Sequence, residues 1–199
     1  MAPSSATGSP LPADARGPSA RRSPFARLRR DDSGATAVEM ALIAAPFFAI
    51  LFAIVQIGFR FFVAEALDTA VAEASRRIMT GQVQGNAAIT TPAQFRDQVL
   101  CNATNRILPS FMDCNKVVVD VRRLSTFADA AFADSAADLL RGVTTPTYDP
   151  GAKGTIIVAR AAYGIPAIAP SLTGGGSYLI DGEQKHALLG VFVFRNEPF

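Results

Sequence analysis

The chain has 199 residues, a formal net charge of +2 and 49% hydrophobic residues. The slight positive balance says little about partners, because the arginines cluster at the start, and the single histidine with two cysteines falls short of the four ligands that a structural zinc site needs. With one long apolar stretch set aside, about 140 residues remain after it, enough for one modest domain with its own core.

Met1 to Ser23 is rich in Pro, Ser, Ala and Gly, with Leu11 its one large apolar residue. Such a segment cannot bury enough surface to fold, so residues 1–34 read as a disordered basic leader. Six arginines (Arg16, Arg21, Arg22, Arg27, Arg29, Arg30) stand against Asp14 alone up to Arg30. A disordered nucleic-acid tail is one reading of that cluster; its place directly before an apolar run makes membrane topology the better one. Positive residues stay on the cytoplasmic side, so the N-terminus is expected inside and the C-terminal domain outside. Ala20 to Phe25, A-R-R-S-P-F, is a poor twin-arginine signal, because Pro24 interrupts it and the apolar run lies far off.

From Met40 to Phe59 only Gln56 is clearly polar, and Pro46 is the one strong helix breaker. About 20 residues is the length a helix needs to cross a hydrocarbon core of roughly 30 Å. A helix apolar on every face is out of place on a soluble domain of this size. Pro46 removes a backbone donor and should kink the span. An ordinary secretory signal has a shorter apolar core and a small-residue cleavage site after it. Here the break comes before the run, at G-A-T-A-V-E-M (Gly34 to Met40).

Beyond Arg60 the helical pattern continues. Val63, Leu67, Ala70, Val71, Ala74 and Ile78 recur at three- and four-residue spacing, with Glu65, Asp68, Glu73, Arg76 and Arg77 on other faces. One helix over 35–80 is therefore predicted, leaving the membrane as an amphipathic half that stops at Gly81. Residues 81–199 follow as an α+β domain. Thr91 to Gln94, T-P-A-Q, is a helix start with a capping box and proline at the first position. Phe95, Val99, Ala103 and Ile107 supply its stripe, Cys101 lies on it, and Pro109 closes it. Lys116 to Arg122 alternates as a strand with one wet face.

Phe127 to Arg141 reads as one or two short helices anchored by Phe127, Phe132, Leu139 and Leu140, and Thr144 to Gly151 as turns. Gly154 to Tyr163 is a second strand ended by Pro166. Ser171 to Ser177 is a glycine loop rather than a phosphate cradle, since no lysine or helix start follows at the required spacing. His186 to Phe194 is a third strand. The fold class expected is α+β: a long N-terminal transmembrane and amphipathic helix, then a small antiparallel sheet with covering helices.

Cys101 and Cys114 are the only cysteines, and both fall in the part placed outside. In an oxidising compartment they would pair, closing a loop worth roughly 3 kcal/mol by chain entropy; two unpaired buried thiols are the alternative.

Catalytic candidates are thin. His186 begins an apolar strand and reads as a satisfied sheet-edge residue. Asp129, Asp134 and Asp138 would share one helix face, for acid–base work or calcium, but a solvated face is the simpler account. No nucleophile elbow, triad order or metal-ligand spacing stands out. No catalytic, cofactor-binding or metal residue is therefore assigned, and no cofactor is expected.

Glycine, four small or β-branched residues, glutamate and an uninterrupted apolar helix resemble the processing site of type IV prepilins. That resemblance implies cleavage after Gly34 by a membrane-embedded prepilin peptidase, with Ala35 as the new N-terminus and Glu39 as its fifth residue. An acid at a bilayer edge is costly unless partnered. The resemblance implies that Glu39 meets the free amine of a neighbouring subunit and sets their register; an interfacial acid capping the helix N-terminus is the alternative.

Three further stretches extend the likeness: A-S-R-R-I-M-T-G-Q (Ala74 to Gln82), F-R-D-Q-V-L-C (Phe95 to Cys101) followed by Cys114 and K-V-V-V-D-V (Lys116 to Val121), and the terminal F-R-N-E-P-F (Phe194 to Phe199). Together they resemble the TadE-like pseudopilins of tight-adherence (Flp, type IVc) pilus systems. The resemblance implies an inner-membrane minor pilin acting with a second pseudopilin, major pilin subunits, a prepilin peptidase, an assembly platform and its ATPase. TadG-like proteins share the anchor but carry a larger exported domain. An unprocessed, anchored periplasmic binding domain and an anchored hydrolase using the acids after Phe127 are the competing readings.

Overall fold

The computed structural model describes residues 33–130, 134–168 and 176–199. The leader up to Asp32, the anchor Phe132 and residues 171–175 of the glycine loop lie outside the described residues. The chain divides into two compact units, Met1–Phe47 and Phe48–Phe199, with the boundary inside a helix.

That helix, α1, runs over Ser33–Met79, 47 residues with Pro46 inside it. In the first unit its described residues are mostly exposed. In the second unit it changes character as the sequence period predicts. Val63, Leu67, Ala70, Val71, Ala74 and Ile78 are all buried, whereas Phe52, Val55 and Phe59 are exposed. Gly81 ends the helix with φ +80°. Its N–H bonds the carbonyl of Ile78, and that of Gln82 reaches back to Arg77, the paired bonds of a Schellman stop.

Four antiparallel strands follow: β1 (Val118–Leu124), β2 (Ile156–Pro166), β3 (Tyr178–Ile180) and β4 (Glu183–Arg195). They lie in the order β1-β2-β4-β3. One face packs on α1. Val119, Val121, Ile157, Ala159, Ala161, Tyr163, Leu188 and Phe194 share a cluster with the buried helix residues. The other face carries a short helix, α3 (Ala136–Leu140), whose Ala136 and Leu139 meet Ala162. Cover on both sides explains why β2 reads as one apolar run rather than alternating. Each fully buried Leu or Ile contributes roughly 1.5–3 kcal/mol, so the amphipathic half of α1 is integral to this core.

Several expectations need correction. The helix opened by Thr91 has the predicted capping box, but α2 covers only Pro92–Phe95 before a π-helical turn, Arg96–Leu100, ends it. Cys101 follows that turn instead of lying on a helix that runs to Ile107. Asn102 accepts from the Thr104 N–H at 2.8 Å, so a local turn competes with further helix. Phe127 is exposed rather than buried as an anchor. The supposed wet face of β1 holds Asp120, which is fully buried. A strand was also missed. Asp181 and Gly182, with φ of 53° and 78°, form the two-residue hairpin loop between β3 and β4.

Candidate assembly helix and its supporting contacts

The residues of the expected processing site head α1. Gly34, Ala35 and Glu39 are all exposed, and a Cβ at Gly34 would meet nothing within 4 Å. The most apolar stretch of α1 is long enough to cross a membrane and none of it is buried.

Further along, α1 is fixed to β4. A Cβ at Gly190 would lie 3.1 Å from Asp68 Oδ1 and 3.2 Å from the Leu67 carbonyl, so a larger residue would have to push helix and strand apart by a few tenths of an ångström. Burial pushes the Asp68 carboxyl above its usual range, outweighing the Val191 N–H that it accepts. At the far end the terminal F-R-N-E-P-F acts as a strap. The Glu197 N–H bonds the Met79 carbonyl at 2.9 Å, and the Phe199 ring fills the space a side chain at Gly81 would need. Asn196 Nδ2 donates to the carbonyls of Pro150 and Ala152 at 2.9 and 3.1 Å. Cys101 and Cys114 are bonded, with Cα atoms 6.1 Å apart. Their bridge joins the end of the π-helical turn to the start of the segment entering β1.

The acids after Phe127 do not converge. Asp129 accepts from the Thr126 N–H at 2.7 Å. Asp138 forms a capping box with Ser135; that N–H and hydroxyl, then Arg141, hold its carboxyl below the usual range. Asp134 bonds Arg160, which lowers its carboxyl likewise. Arg160 also reaches Asp120 Oδ2 from Nε at 3.0 Å and Nη2 at 2.7 Å. The Thr147 N–H and Arg122 Nε complete the Asp120 shell at 2.8 and 2.9 Å. These bonds join β1, β2 and the segment before Tyr148 in a buried ionic cluster.

The expectation of a satisfied, sheet-edge His186 is met only in part. Its Nδ1 lies 3.2 Å from the Gly176 carbonyl, but the ring is buried and Nε2 has no hydrogen-bond partner. Burial pushes the Tyr148 hydroxyl up to about 12. Among the described residues no group of three His, Cys, Asp or Glu side chains is placed to hold a metal ion.

Sequence reasoning passed over Arg160, although a lone charge inside an apolar strand signals a buried partner. It passed over Asp181-Gly182 too, a strong hairpin pair before the third predicted strand. Nothing in the sequence marked Asp68 as the acid that meets a strand edge.

Among the described residues a single long apolar helix heads a small α+β domain, consistent with a single-pass membrane-anchored protein. Residues 34–76 match the family model described as TadE-like protein, so the chain is TadE-like over most of α1. This fits a protein associated with the tight-adherence pilus system. Comparison with curated proteins finds no match. Comparison with solved structures finds none either.

Proposed function

We propose that this chain is a minor pilin or pseudopilin acting in assembly of a tight-adherence (Flp, type IVc) pilus. In this reading α1 anchors it in the bacterial inner membrane, with the leader cytoplasmic and residues 81–199 periplasmic. A prepilin peptidase removes the leader after Gly34, leaving Ala35 at the new terminus and Glu39 to set register against a neighbouring subunit. A second pseudopilin, the major pilin, the assembly platform and its ATPase are the partners. The observation that carries the reading is the coincidence of the TadE-like match with a helix whose glutamate follows an exposed glycine at the prepilin spacing.

The second reading, an anchored binding domain that is never processed, draws on the match ending at residue 76, before the outer domain begins. N-terminal sequencing of the membrane-extracted protein separates the two. Cells with the peptidase should yield a chain beginning at Ala35; cells without it, or carrying Gly34→Leu, should keep the leader. An intact leader in every case rejects processing.

A further inference from the structure

Where the apolar run of α1 nears its outer end, the sheet comes down beside it. Phe52, Ala53, Val55, Gln56 and Phe59 form one wall of a cavity of about 340 Å³. Ile165, Pro166 and Ile168, at the end of β2, form the other. That volume lies within the roughly 300–1,000 Å³ range of small-ligand sites. Ile168 is 85% exposed although its neighbours are apolar, an arrangement unsuited to water. One polar group interrupts the lining: Gln56 Nε2 is buried and has no hydrogen-bond partner. A buried donor without an acceptor is costly, so this amide signals a missing carbonyl or similar oxygen.

One turn further out on the same helix face is Arg60, half-buried and, among the described residues, paired with no carboxylate. Three chemistries are thus stacked along the helix at about 6 Å intervals: an apolar slot at Phe52, an amide donor at Gln56 and a guanidinium at Arg60. An acyl chain, its glycerol ester and a phosphate follow one another in the same order. With the span ending at Phe59, the guanidinium lies at headgroup depth and the slot at acyl depth.

We propose that this groove holds an acyl chain of an anionic glycerophospholipid from the leaflet beside the outer domain, its ester carbonyl accepting from Gln56 and its phosphate pairing with Arg60. The inference rests on the membrane-anchored reading given above. The bound lipid seals the junction between the emerging helix and the end of β2, so the domain is seated on the bilayer rather than hanging from a free stalk. Phe52, Val55 and Phe59 on the helix wall are themselves exposed apolar residues of the span, which favours lipid over a neighbouring subunit's helix as the occupant.

The full chain, reconstituted in vesicles of mixed phosphatidylglycerol and phosphatidylcholine, extracted in mild detergent and weighed by native mass spectrometry, tests this. Wild type should retain phosphatidylglycerol in preference to phosphatidylcholine by about fivefold. Arg60→Gln should abolish the preference, and Ala53→Phe, which fills the slot, should abolish retention itself. Should Ala53→Phe not fold, Arg60→Gln and Gln56→Leu decide, the latter by weakened retention of both lipids. Unselective retention in wild type, or retention unchanged by all three substitutions, overturns the proposal. So does a photo-crosslinker at position 168 that captures a second polypeptide instead of lipid. Vesicle flotation reports anchoring separately: a chain that floats but shows no lipid preference refutes the groove alone, and one that does not float refutes the anchor.

Discussion

Arg160 directs both Nε and Nη2 at one oxygen of Asp120, and the two side chains are 1% and 0% exposed. Taking two charges out of water is repaid only when every remaining lone pair and proton finds a partner. The Asp120 carboxylate meets that condition through Arg122 and Thr147. Removing one member strands the other. Asp120→Asn or Arg160→Met should each cost roughly 3–5 kcal/mol of unfolding free energy. The double variant Asp120→Leu/Arg160→Met should lose much less than the two single losses combined. Chemical denaturation of the detergent-solubilised protein measures both; additive losses would refute the coupling.

The cluster also shows how far the sequence could be read. Periodicity located α1, its stop at Gly81 and three of the four strands, because burial on one helix face or across a sheet leaves a regular pattern. The glycine-glutamate spacing singled out Gly34 and Glu39, though only as a resemblance. What stayed hidden depends on partners distant in the chain. Asp120 looked solvated because alternation alone cannot tell that α3 and Arg160 cover that face. The helix after Thr91 looked longer than it is, since the apolar spacing of Ala103 and Ile107 persists where the backbone has already turned. The cysteines offered a pairing without geometry; the fold brings them together.

Acid should weaken the α+β domain through Asp134 and Asp138. Both carboxyls are held below their ordinary value, the first chiefly by Arg160 and the second by the Ser135 N–H. A depressed folded value means the unfolded chain takes up protons first as pH falls. Their stabilisation is therefore complete above about pH 4 and is lost on descending through the folded values. The melting temperature should fall over that acidic window, and Asp134→Asn should flatten part of the slope. An unchanged slope in that variant would remove Asp134 from the account.

Asp68 carries the opposite sign. Its carboxyl is raised, mainly by burial against β4, so the folded state holds its proton more tightly than the unfolded chain. Its charge thus weakens the fold increasingly as pH rises from the ordinary carboxylate value through the raised one. Asp68→Asn keeps an oxygen for the Val191 N–H and removes the charge. The variant should match or exceed wild type in melting temperature at neutral pH, with the difference vanishing under acid. Gly190→Ala, which presses on both Asp68 and the Leu67 carbonyl, should destabilise at every pH.

The Cys101–Cys114 bridge closes a loop with a sequence separation of 13. Chain entropy assigns such a loop about 3 kcal/mol. Cys101→Ser, Cys114→Ser and reduced wild type should therefore unfold at similar, lower denaturant concentrations. A larger loss for either serine variant than for reduced protein would locate the effect in packing around the sulfurs instead.

Gly81 and Phe199 make the final case, since the helix stop and the chain terminus share one space. At φ +80° an alanine is strained by about 1 kcal/mol, and its methyl would fall within the Phe199 ring. Gly81→Ala alone should cost more than the backbone term, because Phe199 must leave and expose the end of α1. In a Phe199→Ala background the steric part is gone, and Gly81→Ala should then cost only that backbone term. A double-mutant cycle by denaturant unfolding measures the difference. Equal costs for Gly81→Ala in the two backgrounds would mean that the strap does not lean on the helix stop.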